Sequence, residues 1–277
     1  MNSASAAEQS LRDGDPVGAL ALLQEAVRAK STDSKLRIFL FQLLSVLGQW
    51  ERALNQLNVA AELDPAALAM AQMYREALHC EVLRTRVFEG KKSPLVFGQP
   101  EQWLALLIEA LLLAGQGKHR EAAVLRTKAL ENAGATPGTL DGQPFTWIAD
   151  PDSRLGPVCE AIINGRYYWV PFSRLTEIVI EAPEDLRDVV WMPAHFRFDN
   201  GGESVGLIPT RYSGSETSDD AQVVQSRKTI WVEAAPDVYH GYGQRLFATE
   251  NGESPLMDIR KIILVPEEDA PSVLTAA

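Results

Sequence analysis

Cysteine and histidine are scarce in this chain of 277 residues, which holds two of the first and four of the second. Cys80 and Cys159 lie far apart, without the close spacing that gathers ligands on a metal. A disulfide framework or zinc site is thereby excluded as an organising device, and both thiols are expected to be reduced and buried. His195 and His240 also stand alone, so a structural role is expected for each. Long apolar runs are missing. The most apolar stretch, Trp103 to Ala114, has twelve residues with Glu109 among them; it is too short to span a bilayer and reads as a helix buried on nearly all sides. The N-terminus shows no basic segment followed by an apolar one, so no signal peptide and a cytoplasmic location are expected. Basic residues are in deficit, 26 against 37 acidic, giving a net charge of −11. Without a basic stripe to displace counterions, nucleic acid is not an expected partner. No Gly-x-Ser-x-Gly elbow occurs, and Gly241 with Gly243 forms only a lone Gly-x-Gly, so neither a nucleophile nor a bound cofactor is expected.

What the chain does have is an internal repeat. Gly14, Ala19, Leu23 and Ala26 recur as Gly48, Ala53, Leu57 and Ala60, an offset of 34 residues. That is the period of a tetratricopeptide helical hairpin, in which small residues let paired helices approach closely and glycine frees the turn. A third set, Gly117, Ala122, Leu125 and Ala129, follows Gly48 by 69 residues. Between them, Ala66 to Glu89 is a long helical pattern without the expected glycine and alanines, ending in a loop at Gly90 to Pro94. Three recognisable hairpins and one distorted one are expected over residues 1–135.

Gly134, Pro137, Gly138, Gly142 and Pro144 break the helical period, so residues 136–144 are read as a linker. Beyond it the pattern is strand-like. Asn164-Gly165 stands between two β-prone runs, a strong hairpin signal, and further strands are expected at 177–180, 189–198, 205–208, 229–234 and 260–265. The second half, 145–265, is therefore expected to be a β-rich (α+β) domain, a small antiparallel sheet or barrel, followed by a disordered acidic tail over 266–277. Charge is split unevenly: residues 1–140 carry 15 basic and 15 acidic side chains, residues 141–277 carry 11 and 22. Nine of those 11 basic residues are arginine, which favours planar, fixed ion pairs.

Two groups in the second half invite chemistry. Asp150 and Asp152 with Arg154 could form a carboxylate pair for a divalent cation or for acid–base work, or they could be turn residues that accept backbone N–H groups and pair with a guanidinium. Tyr167, Tyr168, Trp169, Trp191 and Tyr212 are suited either to a protein contact or to an aromatic core covered on both faces of a sheet. In the second case Arg154, Arg187, Arg211 and Arg245 become internal ion-pair partners of the surplus carboxylates.

The segment FTWIADPDSRLGPVCEAIINGRYYWVPF, Phe145 to Phe172, closely resembles the signature of the ImpE-like (TagJ-like, SciE-type) accessory proteins of bacterial type VI secretion. LRDVVW at 186–191, IPTRY at 208–212 and GYGQR at 241–245 follow in the same order. The resemblance spans nearly the whole chain and implies a tetratricopeptide-like helical half before a compact β-rich half. It also implies a non-enzymatic accessory role, with the helical half binding the N-terminal helix of the small sheath subunit. No family motif marks the groove. Repeat geometry places Lys35, Ile38 and Gln42 on its inner side, and by the same rule Leu104, Leu107 and Leu111, for which packing under a neighbouring helix or against the second half is the competing reading. Two other functions stay open: an enzyme or metal-binding domain delivered by a tetratricopeptide module, and a generic peptide-binding cochaperone.

Overall fold

The computed structural model describes residues 3–99 and 101–265; the tail over 266–277 lies outside them. Seven helices come first: α1 (Ser3–Arg12), α2 (Pro16–Ala29), α3 (Ser34–Val46), α4 (Trp50–Leu63), α5 (Leu68–Phe88), α6 (Gln102–Gly115) and α7 (His119–Asn132). They form three hairpins, α1–α2, α3–α4 and α6–α7. Gly14, Gly48 and Gly117 turn them with φ of 85°, 66° and 79°, the left-handed conformation that a side chain would strain. Ala19, Ala53, Ala60, Leu23 and Leu57 are fully buried between the helices, as the repeat requires. The distorted repeat is a single helix of 21 residues, α5, and among the described residues no partner helix precedes the next hairpin, α6–α7. The chain instead runs into β1 (Leu95–Val96), which leaves the helical half to pair with the sheet.

The sheet half contains β2 (Gly138–Leu140), β3 (Gln143–Phe145), β4 (Val158–Ile163), β5 (Arg166–Pro171), β6 (Leu175–Ile180), β7 (Trp191–Phe198), β8 (Glu203–Pro209), the short helix α8 (Ala221–Val224), β9 (Thr229–Ala235), β10 (Val238–Gly243), β11 (Leu246–Thr249), β12 (Gly252–Pro255) and β13 (Lys261–Leu264). Nine of these strands make one sheet in the order β1-β5-β4-β8-β7-β6-β13-β2-β3. It is antiparallel except where β1 lies parallel to β5. Strands β9–β10 and β11–β12 form separate two-stranded ribbons. Asn164 and Gly165, with φ of 50° and 71°, form the tight turn that sets the β4–β5 register.

The β-rich expectation holds, but the sheet is neither small nor a barrel. It stays open between β1 and β3, because both of its faces are covered by other parts of the chain and closure is not needed to bury them. On one face Ile162, Tyr167, Trp169, Trp191 and Leu207 join a single apolar cluster with Phe41, Leu44, Tyr74 and Leu78 of the helices. On the other, Cys159, Ala161, Val170, Ile178, Phe196 and Ile208 pack with Phe247, Leu256 and Ile259 from the chain that crosses back over the sheet. Strand β4 is buried along its whole length, and Tyr167, Trp169, Trp191 and Tyr212 are at most 1% exposed. These aromatics are core. Helices and sheet thus share one hydrophobic interior.

Candidate functional site

Helices α1 and α3 open successive hairpins, and a cleft of about 690 Å³ lies between them and the segment 184–189 of the sheet half. Asp33 fixes the start of α3 by accepting from the backbone N–H groups of Lys35 (3.1 Å) and Leu36 (3.2 Å). That start sets the helical phase, and Lys35, Leu36, Phe39 and Gln42 fall on the cleft side. Leu11, Leu186 and Val189 add apolar floor; Glu8, Arg12, Glu184, Asp185 and Arg227 add charge of both signs. Lys35 is exposed at the rim, while Gln42 is 6% exposed at the bottom. Ile38 is half-buried and does not line the cleft.

Leu104, Leu107 and Leu111 do not lie on an open groove either. Each is at most 4% exposed, inside the cluster that joins helices to sheet, because the apolar faces of α6 are consumed in packing. Part of the helical groove is filled by the chain itself. The LRDVVW segment begins with a one-turn helix at Leu186–Val189, stabilised by reciprocal capping between Asp185 and Asp188, and packs on α3. Trp191 then inserts its ring near Trp50 (6.2 Å between centroids) and Tyr74 (5.7 Å).

Beneath this junction lies a buried charge network. Glu160 projects from the middle of β4 and is fully buried. It accepts from Arg84 of α5 through Nε (2.7 Å) and Nη2 (3.1 Å), from Arg245 Nη2 and from the Tyr167 hydroxyl. Arg245 also donates Nη1 to Asp150 and Nε to the Pro209 carbonyl (2.9 Å). Asp150 accepts further from the Tyr212 hydroxyl (3.1 Å) and the Asp152 N–H (2.9 Å). Glu81, one helical turn before Arg84, pairs with it at 3.3 Å and accepts from the Trp191 indole at 2.9 Å. Asp152 is held by Arg154 Nε (2.8 Å), by the Arg154 N–H (2.9 Å) and by the Gly241 N–H (2.8 Å).

The electrostatics follow from that count. Three carboxylates, Glu81, Glu160 and Asp150, share two guanidiniums, Arg84 and Arg245. Burial raises each of these three, and among them only the one with both cations overcomes it: Arg84 and Arg245 bring Glu160 down to about 2 despite its desolvation. Asp150 is pushed up to about 7, chiefly by burial, with Arg245 opposing; Glu81 is raised for the same reason, with Arg84 opposing. Burial and the neighbouring Glu160 push the Tyr167 hydroxyl well above its ordinary value.

The four arginines named from the sequence have different partners. Arg154 pairs with Asp152, and Arg245 with Asp150 and Glu160. Arg187 pairs with Asp185, lies 3.9 Å from Asp188, and stacks over Tyr74 at 4.9 Å from the ring centroid. Arg211 forms no ion pair among the described residues. It donates Nη1 to the carbonyls of Val46 (2.7 Å) and Val224 (2.6 Å) and Nη2 to that of Ser45 (3.0 Å). The Ser45 and Val46 carbonyls end α3 and that of Val224 ends α8, so the guanidinium sits where helix carbonyls run out of intrahelical partners and where a cation complements the helix dipole. Glu81, Arg84 and Glu160 escaped the sequence reading. A signal existed for each: Glu160 interrupts the apolar run of β4, and Glu81 and Arg84 sit three residues apart on one helix. Among the described residues no group of three His, Cys, Asp or Glu side chains could hold a metal, and no helix is long and apolar enough to cross a membrane.

Three of the sequence motifs thus meet in one network: Asp150 and Glu160 from the first, Tyr212 from IPTRY, where the Arg211 carbonyl also accepts from Arg84 (2.8 Å), and Arg245 from GYGQR. The family model described as ImpE protein matches residues 142–263, and a tetratricopeptide repeat model matches residues 10–77. The chain is 47% identical to the type VI secretion system accessory component TagJ of Pseudomonas aeruginosa, over 95% of this chain and 92% of that one. It superposes on a Vibrio parahaemolyticus protein solved by X-ray crystallography with a TM-score of 0.86 at 26% identity, covering 95% of this chain and 98% of that one. With a relative this similar along nearly its whole length, the chain belongs to the ImpE family of type VI secretion accessory proteins.

Proposed function

We propose that this protein is a non-enzymatic adaptor whose α1–α3 cleft holds the N-terminal helix of the small sheath subunit. The observation that carries this reading is the cleft itself: it has an apolar floor and a rim of mixed charge on the tetratricopeptide half of a type VI accessory protein. An amphipathic helix presents the complementary surface, apolar on one side and charged at its flanks. The carboxylates of Asp150, Asp152 and Glu160 are met by arginines, hydroxyls and backbone N–H groups, which supports a structural role for them over a catalytic one.

The test is calorimetric titration of the full-length chain with a peptide of that subunit's N-terminal helix. The full chain is needed because α5 buries Tyr74, Glu81 and Arg84 against the sheet. Leu36→Glu, which puts a charge into the floor, is expected to weaken binding at least tenfold with an unchanged circular dichroism spectrum. Lys35→Glu at the rim should change mainly the association rate and its salt dependence. Absence of binding by the folded full-length chain would refute the sheath assignment and leave the accessory role without this partner.

A further inference from the structure

The α6–α7 and β9–β10 hairpins, with the end of α5, enclose a second cavity, about 240 Å³, away from the cleft and lined by different residues. Arg126 of α7 reaches it. This side chain is only 8% exposed, yet among the described residues it makes no hydrogen bond and no ion pair. The carboxylate that offsets it at longer range, Asp152, is already held by Arg154 and by the Gly241 N–H. Arg154 lines the same cavity. It lies over the Phe88 ring at 4.7 Å from the centroid, spends Nε and Nη2 on Asp152, and among the described residues makes no hydrogen bond through Nη1. His240 and His119 add imidazoles to the lining. Burial, with Arg154 and Arg126 adding to it and Asp152 opposing, pushes His240 down to about 4, so its imidazole is neutral at pH 7. The one acidic residue in the wall, Glu89, pairs with Lys91 at 2.9 Å.

A buried guanidinium facing another cation across a cavity, with no counter-charge in contact, is strongly unfavourable unless something fills the space. The planar fork of arginine matches phosphate and carboxylate oxygens two at a time. The volume, about 240 Å³, falls below the roughly 300–1,000 Å³ of sites for drug-sized ligands, so a nucleotide is too large. We propose that this cavity is a binding site for a small oxyanion, a phosphate or a compact carboxylic acid, held by Arg126 and Arg154 with His240 as a further hydrogen-bonding group.

The experiment takes the full-length protein in a chloride buffer at pH 7 and adds inorganic phosphate in one arm and succinate in another, each against sodium chloride of equal ionic strength. Thermal melting and isothermal calorimetry are read for the wild type, Arg126→Met and Arg126→Lys. At least one anion is expected to raise the melting temperature saturably above the chloride control, and the arm that does so identifies the oxyanion class. Arg126→Met should lose at least tenfold in affinity for that anion, and Arg126→Lys less. In the chloride control Arg126→Met should melt no lower than the wild type, because it removes an unpaired buried charge while keeping the stem. The proposal fails if neither anion moves the wild-type melt beyond chloride, which needs no variant to fold, or if both variants bind the anion as the wild type does.

Discussion

Arg84 on α5 and Glu160 on β4 meet through two hydrogen bonds, of 2.7 and 3.1 Å, across the junction between helices and sheet. They are 76 residues apart in sequence and almost wholly buried, so the pair ties the repeat array to the sheet. Arg84→Ala would leave Glu160 and Glu81 short of a cation in a site where both carboxylates are buried. The expected loss is about 3–5 kcal/mol, the usual consequence of removing one partner of a buried pair, read as a lower urea midpoint.

Arg211 answers three carbonyls from two separate segments, and no single ammonium group has that reach. Arg211→Ala is expected to cost roughly 2–4 kcal/mol, since charged donors to buried carbonyls contribute about 1.5–3 kcal/mol each and the loss is shared. Arg211→Lys should recover only part of it. Equal stability of Arg211→Lys and wild type in denaturant titrations would show that the fork geometry is not needed.

The two carboxylates served by Arg245 give opposite pH dependences. Glu160 sits below its unfolded value, at about 2, so its contribution is present above pH 4.5 and is lost as pH falls toward 2. Asp150 sits above its unfolded value, at about 7, so the folded state holds its proton more tightly and stability declines as pH rises from about 4 to 7. Asp150→Asn cannot titrate. The stability of wild type relative to Asp150→Asn should therefore fall across that interval, by on the order of 4 kcal/mol if the whole shift is expressed. Urea melts of both proteins at pH 4, 5.5 and 7 measure this directly, and parallel curves would contradict it.

Ala53 is 0% exposed on α4, whose partner α3 packs directly against it. Ala53→Leu adds volume where no space exists and is expected to destabilise by about 1–3 kcal/mol, seen as a lower thermal midpoint. Val17→Leu, at a position 68% exposed on α2, serves as the control and should leave the midpoint nearly unchanged.

Sequence and structure agree where interactions are local. The spacing of Gly14, Gly48 and Gly117 with their alanines gave the hairpins because each turn and each close helix contact involves residues of one repeat. Asn164-Gly165 gave the β4–β5 hairpin because both residues must adopt positive φ, which few other pairs do. The extent of the sheet was not legible. Strand β1 arises within the helical half, and β2 and β3 are three residues each, too short to show a period.

The groove residues show the same division. Lys35 and Gln42 line the cleft, whereas Leu104, Leu107 and Leu111 are covered, because repeat geometry fixes which side of a helix faces inward but not what arrives to cover it. Likewise the motifs announced Asp150, Asp152, Arg154 and Arg245 as polar groups needing partners, but left Arg84 and Glu160 unseen. The sequence by itself determined the repeat, the hairpin turn and the family. Only the tertiary structure decided which charges pair, that Arg211 caps a helix, and which groove stays open, since these depend on side chains brought together from segments distant along the chain.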